Sequence, residues 1–122
     1  MYRSHNCGEL RIKHVGHEVK LSGWIHKIRD KGSLIWIDLR DRYGITQIIV
    51  DTNESSKNLV EQVKKVGREY VISVKGMVKE RESKNPNIGT GDVEITLTEI
   101  EYSTNRKYLH LHWMRILMVG MN

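Results

Sequence analysis

One cysteine and one proline are all that these 122 residues contain of either type. Cys7 therefore has no partner for an internal disulfide or a cysteine-based zinc site, which fits a reducing compartment. No apolar run is long enough to span a bilayer, and the opening Met-Tyr-Arg-Ser-His-Asn lacks the apolar stretch of a secretory signal. A cytoplasmic location and no membrane partner are expected. There is no internal repeat, no low-complexity tract, no phosphate-binding P-loop, no nucleophile elbow and no dinucleotide fingerprint. No catalytic residue is expected.

What is present suits one domain and leaves no room for a large two-domain enzyme. Hydrophobic residues make up 39% and charged residues 29%, enough apolar side chains for a packed core. Lysine and arginine number 20 against 15 acidic residues, a net charge of +5. That excess favours a polyanionic partner through counterion release, although charge alone is a weak signal.

Strand periodicity dominates the chain. From Glu18 to Asp30, Val19, Leu21, Gly23 and Ile25 alternate with Lys20, Ser22, Trp24 and His26. Gly23 in mid-strand suggests a bulge or sharp coil, as a closing barrel needs. Lys31-Gly32-Ser33 breaks the strand. A second strand, Leu34 to Leu39, turns Ile35, Ile37 and Leu39 to one face and Leu34, Trp36 and Asp38 to the other. Asp41-Arg42-Tyr43-Gly44 reads as a hairpin turn, and Ile45 to Asp51 as a third strand with Ile48 and Val50 inward and Gln47 and Ile49 outward. The polar cluster from Asp51 to Ser56 can end that strand and cap a helix over 56–66, with Leu59, Val63 and Val66 on one side and Gly67 as its stop. Tyr70 to Arg81 is a fourth strand, Ile72, Val74, Gly76 and Val78 facing in and Ser73, Lys75, Met77, Lys79 and Arg81 out. After a polar loop from Glu82 to Gly91, a fifth strand from Asp92 to Glu101 turns Val93, Ile95 and Leu97 inward and Glu94 and Thr96 outward. Three strands, a helix and two strands match an all-β barrel with one helix, the five-stranded Greek-key OB-fold with its helix between strands three and four. An SH3-like barrel is the nearest rival and does not readily absorb that helix.

OB-folds bind single-stranded nucleic acid across strands two and three, between the loop joining strands one and two and the loop joining strands four and five. Here that face carries Trp36 and Gln47, flanked by Arg29 on one side and Arg81, Lys84 and Asn85 on the other. An exposed aromatic can stack on a base, an amide can hydrogen-bond a base edge, and arginine can hold phosphate or stack. Each residue also has a plain structural reading. Trp36 can be packing under the N-terminal segment, Arg29 and Arg81 solvated surface groups, and Gln47 by itself signifies nothing. Their convergence on one face is what favours binding. Asp38 and Asp41 around Arg40 suit turn and ion-pair contacts better than a metal. His110 and His112, with no cysteine or carboxylate beside them, argue against zinc.

Taken together, Cys7-Gly8-Glu9-Leu10-Arg11, His14-Val15-Gly16, Val19 with Leu21, Gly23-Trp24, Arg29-Asp30, Gly32, Ile37-Asp38-Leu39-Arg40-Asp41-Arg42 and Gly44-Ile45 with Gln47 resemble the opening of bacterial-type aspartyl-tRNA synthetases. Arg68-Glu69, Val74 with Gly76, Arg81, Lys84-Asn85 and Thr90-Gly91 continue the likeness, which covers about residues 1–105. The resemblance implies a domain that binds the anticodon loop of aspartate tRNA. It implies an aromatic at Trp36 stacking on an anticodon base and a glutamine at Gln47 reading the central uracil. Arg29 and Arg81 would contact the anticodon, Asn85 and Glu94 would add polar contacts, and Lys31 and Lys84 would reach the RNA backbone. The sequence departs at Ile49, where relatives often place a second aromatic. The synthetase is a homodimer, and its ATP- and Mg-dependent aminoacylation belongs to a class II catalytic domain whose motifs are absent here. The fragment is therefore expected to need no cofactor and to aminoacylate nothing alone.

After Arg106 the chain departs from the acidic, glycine-containing hinge of that family. Codons for Leu109 to Asn122 read one nucleotide earlier can encode such a hinge, so residues 106–122 are hypothesised to be a frameshift product. The nucleotide sequence tests this, because codons unable to give the acidic reading sink it. The plain alternative is a natural C-terminal element. Three other functions compete with anticodon binding: a protein-interaction or dimerisation domain, a general single-strand binder, and a free-standing paralogue with a regulatory RNA target.

Overall fold

The computed structural model describes residues 3–67 and 70–102. The expectations for residues 103–122 and the Arg68-Glu69 pair lie outside them. Strands β1 (Glu18–Asp30), β2 (Leu34–Asp41), β3 (Gly44–Asp51), β4 (Val71–Glu80) and β5 (Val93–Glu101) close into one barrel in the order β1-β2-β3-β5-β4. All neighbours are antiparallel except β3 and β5, which run parallel through Ile48 and Ile95. This is the expected OB-fold, and the alternation fills it: Val19, Leu21, Ile25, Ile35, Ile37, Leu39, Ile48, Val50, Ile72, Val74, Val78, Val93, Ile95 and Leu97 are buried inside.

Long β1 serves two neighbours. Residues Glu18 to Trp24 pair with β4, and Trp24 to Asp30 pair with β2. The register breaks between Ile25 and Lys27, past Gly23. Of the bulge or sharp coil expected at Gly23, the bulge lies further along, and Gly23 stands where β1 passes from β4 to β2. It lets β2 approach closely, since a Cβ there would sit 2.3 Å from the Arg40 carbonyl oxygen. A second break, between Lys75 and Gly76, bends β4 over β5.

Helix α1 (Lys57–Lys65) follows β3, and the Ser56 side chain accepts a hydrogen bond from the Leu59 backbone N–H at 3.1 Å. Leu59, Val63 and Val66 pack into the core. The helix ends at Val66 in extended backbone, so the expected stop at Gly67 is not a left-handed glycine cap.

The N-terminal segment is tied to the β2–β3 hairpin by one buried carboxylate. Asp41 Oδ2 accepts the Cys7 N–H at 2.8 Å, while Oδ1 accepts the N–H groups of Tyr43 at 2.8 Å and Gly44 at 3.2 Å. Thr46 donates to the Cys7 carbonyl at 2.7 Å. Burial, with Asp41 alongside, pushes the Cys7 thiol up, so it is an inert core group.

Candidate nucleic-acid interface

The outward positions of β1, β2, β3 and β5 meet on one side of the barrel. Arg29 lies opposite Trp36 in the β1–β2 register, Trp36 opposite Ile49 across β2–β3, and Gln47 one residue before the β3–β5 contact at Ile48 and Ile95. Glu94 lies opposite Lys79 across β4–β5. Register alone therefore brings together residues spread from position 29 to position 94.

Their side chains form a continuous row. The Arg29 guanidinium stands 5.4 Å from the centroid of the half-buried Trp36 ring, a cation–π contact. Arg29 Nη2 donates to Gln47 Oε1 at 3.4 Å, near the long limit for a hydrogen bond. Gln47 Nε2 donates to Glu94 Oε1 at 2.8 Å, and Lys79 Nζ stands 3.3 Å from Glu94 Oε2. Gln47 is 6% exposed and Glu94 7%, so both polar groups are covered and both are partnered. Ile49, half-buried beside Trp36, supplies an apolar shoulder where a second aromatic would widen the platform.

Two loops frame this row. In the β1–β2 loop, Gly32 adopts φ +84 and donates to Asp30 Oδ1 at 2.9 Å, and Thr52 Oγ1 donates to the Gly32 carbonyl at 2.8 Å. The loop is thus pinned to the end of β3, holding exposed Lys31 at its tip. In the β4–β5 loop, the Arg81 N–H donates to the Asp92 carbonyl at 2.9 Å and the Asn85 N–H to the Gly91 carbonyl at 2.9 Å. Asn85 Oδ1 accepts the Asn87 N–H at 3.0 Å, and Thr90 Oγ1 donates to the Ile45 carbonyl. A Cβ on Gly91 would overlap the Asn85 carbonyl, so only glycine lets the loop close this tightly.

Trp36, Arg29, Gln47 and Glu94 are linked in that order, each to the next, whereas Lys31, Arg81, Lys84 and Asn85 sit in the flanking loops and make no hydrogen bond, ion pair or ring contact with these four among the described residues. Lys84 pairs with Glu80 one helical-turn spacing away, which raises its pKa. Lys79 was not singled out in the sequence. Alternation places it outward, but nothing local shows that it faces Glu94. Among the described residues no group of three or more His, Cys, Asp or Glu side chains could hold a metal ion, and no helix is long and apolar enough to cross a membrane.

An aromatic, a guanidinium, an amide and a carboxylate in a row across an OB barrel can stack a base and hydrogen-bond its edge. Residues 19–102 match the tRNA anti-codon family, described as the OB-fold nucleic acid binding domain. The chain belongs to this family. Within it, the chain is 58% identical to the aspartate–tRNA ligase of Flavobacterium psychrophilum over 100 residues, 82% of this chain and 17% of that protein. It is 54% identical to the aspartate–tRNA ligase of Amoebophilus asiaticus over the same shares. Among solved structures, the asparaginyl-tRNA synthetase of Pyrococcus horikoshii complexed with asparaginyl-adenylate superposes with a TM-score of 0.70 at 30% identity, over 84% of this chain and 22% of that one. The chain thus spans about a sixth of the length of the ligases it matches, and the match falls on their N-terminal part.

Proposed function

We propose that this chain binds the anticodon loop of aspartate tRNA, as the N-terminal module of an aspartate–tRNA ligase. The observation that carries the reading is the contact of Arg29, Trp36 and Gln47 on one barrel face in a chain 58% identical to such a ligase. In this reading Trp36 stacks on a splayed anticodon base and Gln47 reads the edge of the central one. Arg29 and Arg81 contact the anticodon nucleotides, Asn85 adds a polar contact, and Lys31 and Lys84 reach the backbone. ATP- and Mg-dependent aminoacylation and homodimer formation belong to the remainder of such a ligase, acting in the cytoplasm.

Binding of the chain to an aspartate tRNA anticodon stem-loop tests this, beside a copy with the central uracil replaced. The expected outcome is clear discrimination, lost in Gln47→Ala. Trp36→Ala should weaken binding by the worth of one stacked base, about 1–3 kcal/mol, with Trp36→Phe close to wild type. Equal affinity for both RNAs, unchanged by either alanine variant, sinks the proposal.

A further inference from the structure

The row of contacts carries more than proximity, because one partner of Gln47 can accept hydrogen bonds but cannot donate them. We propose that Glu94 is a positioning residue that locks the orientation of the Gln47 amide, and that this lock makes the site select a keto base, uracil or guanine, over an amino base, cytosine or adenine. The proposal rests on the reading that this face takes an anticodon base.

A carboxylate offers only acceptor oxygens, so the end of the Gln47 side chain lying 2.8 Å from Glu94 Oε1 is its NH2 group. The amide oxygen then points toward Arg29, whose Nη2 is 3.4 Å away. Turning the amide over would set its oxygen against the carboxylate and its NH2 against the guanidinium, two repulsive contacts in place of two attractive ones. Glu94 cannot easily yield, because Lys79 holds its other oxygen at 3.3 Å and its side chain is only 9% exposed. The carboxylate is pinned on both sides, and it pins the amide.

An amide held this way presents a base with an acceptor on the Arg29 side and a donor on the Glu94 side. Uracil offers N3–H beside O4 and guanine N1–H beside O6, a donor next to an acceptor, which this order satisfies. Cytosine and adenine offer the reverse, a ring-nitrogen acceptor next to an amino donor. A base stacked on Trp36 and tied to its own backbone cannot shift along its edge to compensate. The wrong base therefore leaves a covered donor or acceptor unpaired. Arg29 is the group that gives way. It is exposed, its contact with Oε1 is the longer of the two side-chain hydrogen bonds of Gln47, and it is itself a donor, like the imino N–H that takes its place.

The test uses the full chain and four anticodon stem-loops that differ only at the central base. The wild type should favour uracil over cytosine by roughly tenfold to a hundredfold, the worth of one correctly ordered bidentate contact. Glu94→Gln keeps the shape but can face Gln47 with either oxygen or nitrogen, so the preference should collapse toward parity. Lys79→Met removes only the half-exposed outer clamp and should lower the preference several-fold without reversing it. This second variant reports even if Glu94→Gln proves unstable. A wild-type preference retained in both variants overturns the lock while leaving the anticodon reading intact. A wild type that binds all four stem-loops alike, or none, overturns that reading and the lock with it.

Discussion

Asp41 illustrates how much one side chain can hold in a small barrel. Its two carboxylate oxygens serve three backbone N–H groups, one from the N-terminal segment and two from the hairpin turn, and the residue is 2% exposed. Gly8 and Gly44 exist for the same junction. A Cβ on Gly8 would sit 2.3 Å from the Tyr43 carbonyl oxygen, and one on Gly44 2.8 Å from the Gly8 Cα. Asp41→Ala strands those donors in a covered position, at a cost of about 1–3 kcal/mol for each that stays unsatisfied. A loss of about 3 kcal/mol in a urea titration, with little change in the RNA preference of the folded fraction, is the expected outcome. A neutral result would mean that water replaces the carboxylate. The buried Ser22 and Ser73 hydroxyls, 2.8 Å apart across β1 and β4, show the same economy: polar groups facing a covered surface satisfy one another.

At the scale of an element, the short 3-10 turn Ile12–His14 before β1 gathers three histidines. The His5 and His14 ring centroids are 5.2 Å apart and those of His14 and His17 6.0 Å, with Lys13 adjacent. Partial desolvation first, then the positive neighbours His5, Lys13 and His17, lower the His14 pKa below its ordinary 6.5. His14 Nδ1 also accepts the Arg11 N–H at 2.9 Å, a bond that requires that nitrogen to be unprotonated. The sign follows from linkage. As pH falls below 6.5 the unfolded chain takes up this proton before the folded one, so the His14 contribution to stability is present above that pH and is lost as pH drops through the folded value. An NMR titration should give His14 a midpoint below the ordinary 6.5, and His14→Gln should flatten the pH dependence of stability between pH 7 and 5. A His14 midpoint at or above 6.5 contradicts this account.

For the molecule as a whole, the net charge of +5 matters through where its cations stand. Lys31 stands exposed in the β1–β2 loop, its ammonium in no ion pair among the described residues, while Lys84 is already paired with Glu80. If both reach the RNA backbone, Lys31→Ala should reduce the slope of log affinity against log salt by about 0.7, the value for one phosphate contact on a single strand. Lys84→Ala should reduce it less, because Glu80 already offsets that charge. Equal reductions would mean that the Glu80 pair breaks on binding, and no change in either would remove both loops from the interface.

The barrel was legible because strand alternation is a local signal. Burying one face forces Val19, Leu21, Ile35, Ile37, Ile48 and Val50 inward whatever their partners, and the apolar side of 56–66 demands a helix packed on that core. The outward positions of Trp36, Gln47 and Glu94 follow from the same alternation, and the shared face of Trp36 and Gln47 on adjacent strands could be read before any contact was known, whereas Glu94 joined them only through the family resemblance. Local pattern does not carry register. The breaks fell at Ile25–Lys27 and Lys75–Gly76 rather than at Gly23, because bulges occur where the closing barrel needs to bend and the glycine serves a close approach instead. Nor could pattern show that Glu94 spends both oxygens on Gln47 and Lys79, since those neighbours come from the parallel β3–β5 seam and the β4–β5 ladder. What the sequence determined by itself is which side chains face out. Which of them touch, and hence which way one buried amide points, was decided only by closing the barrel, because cross-strand contact depends on residues far apart in the chain.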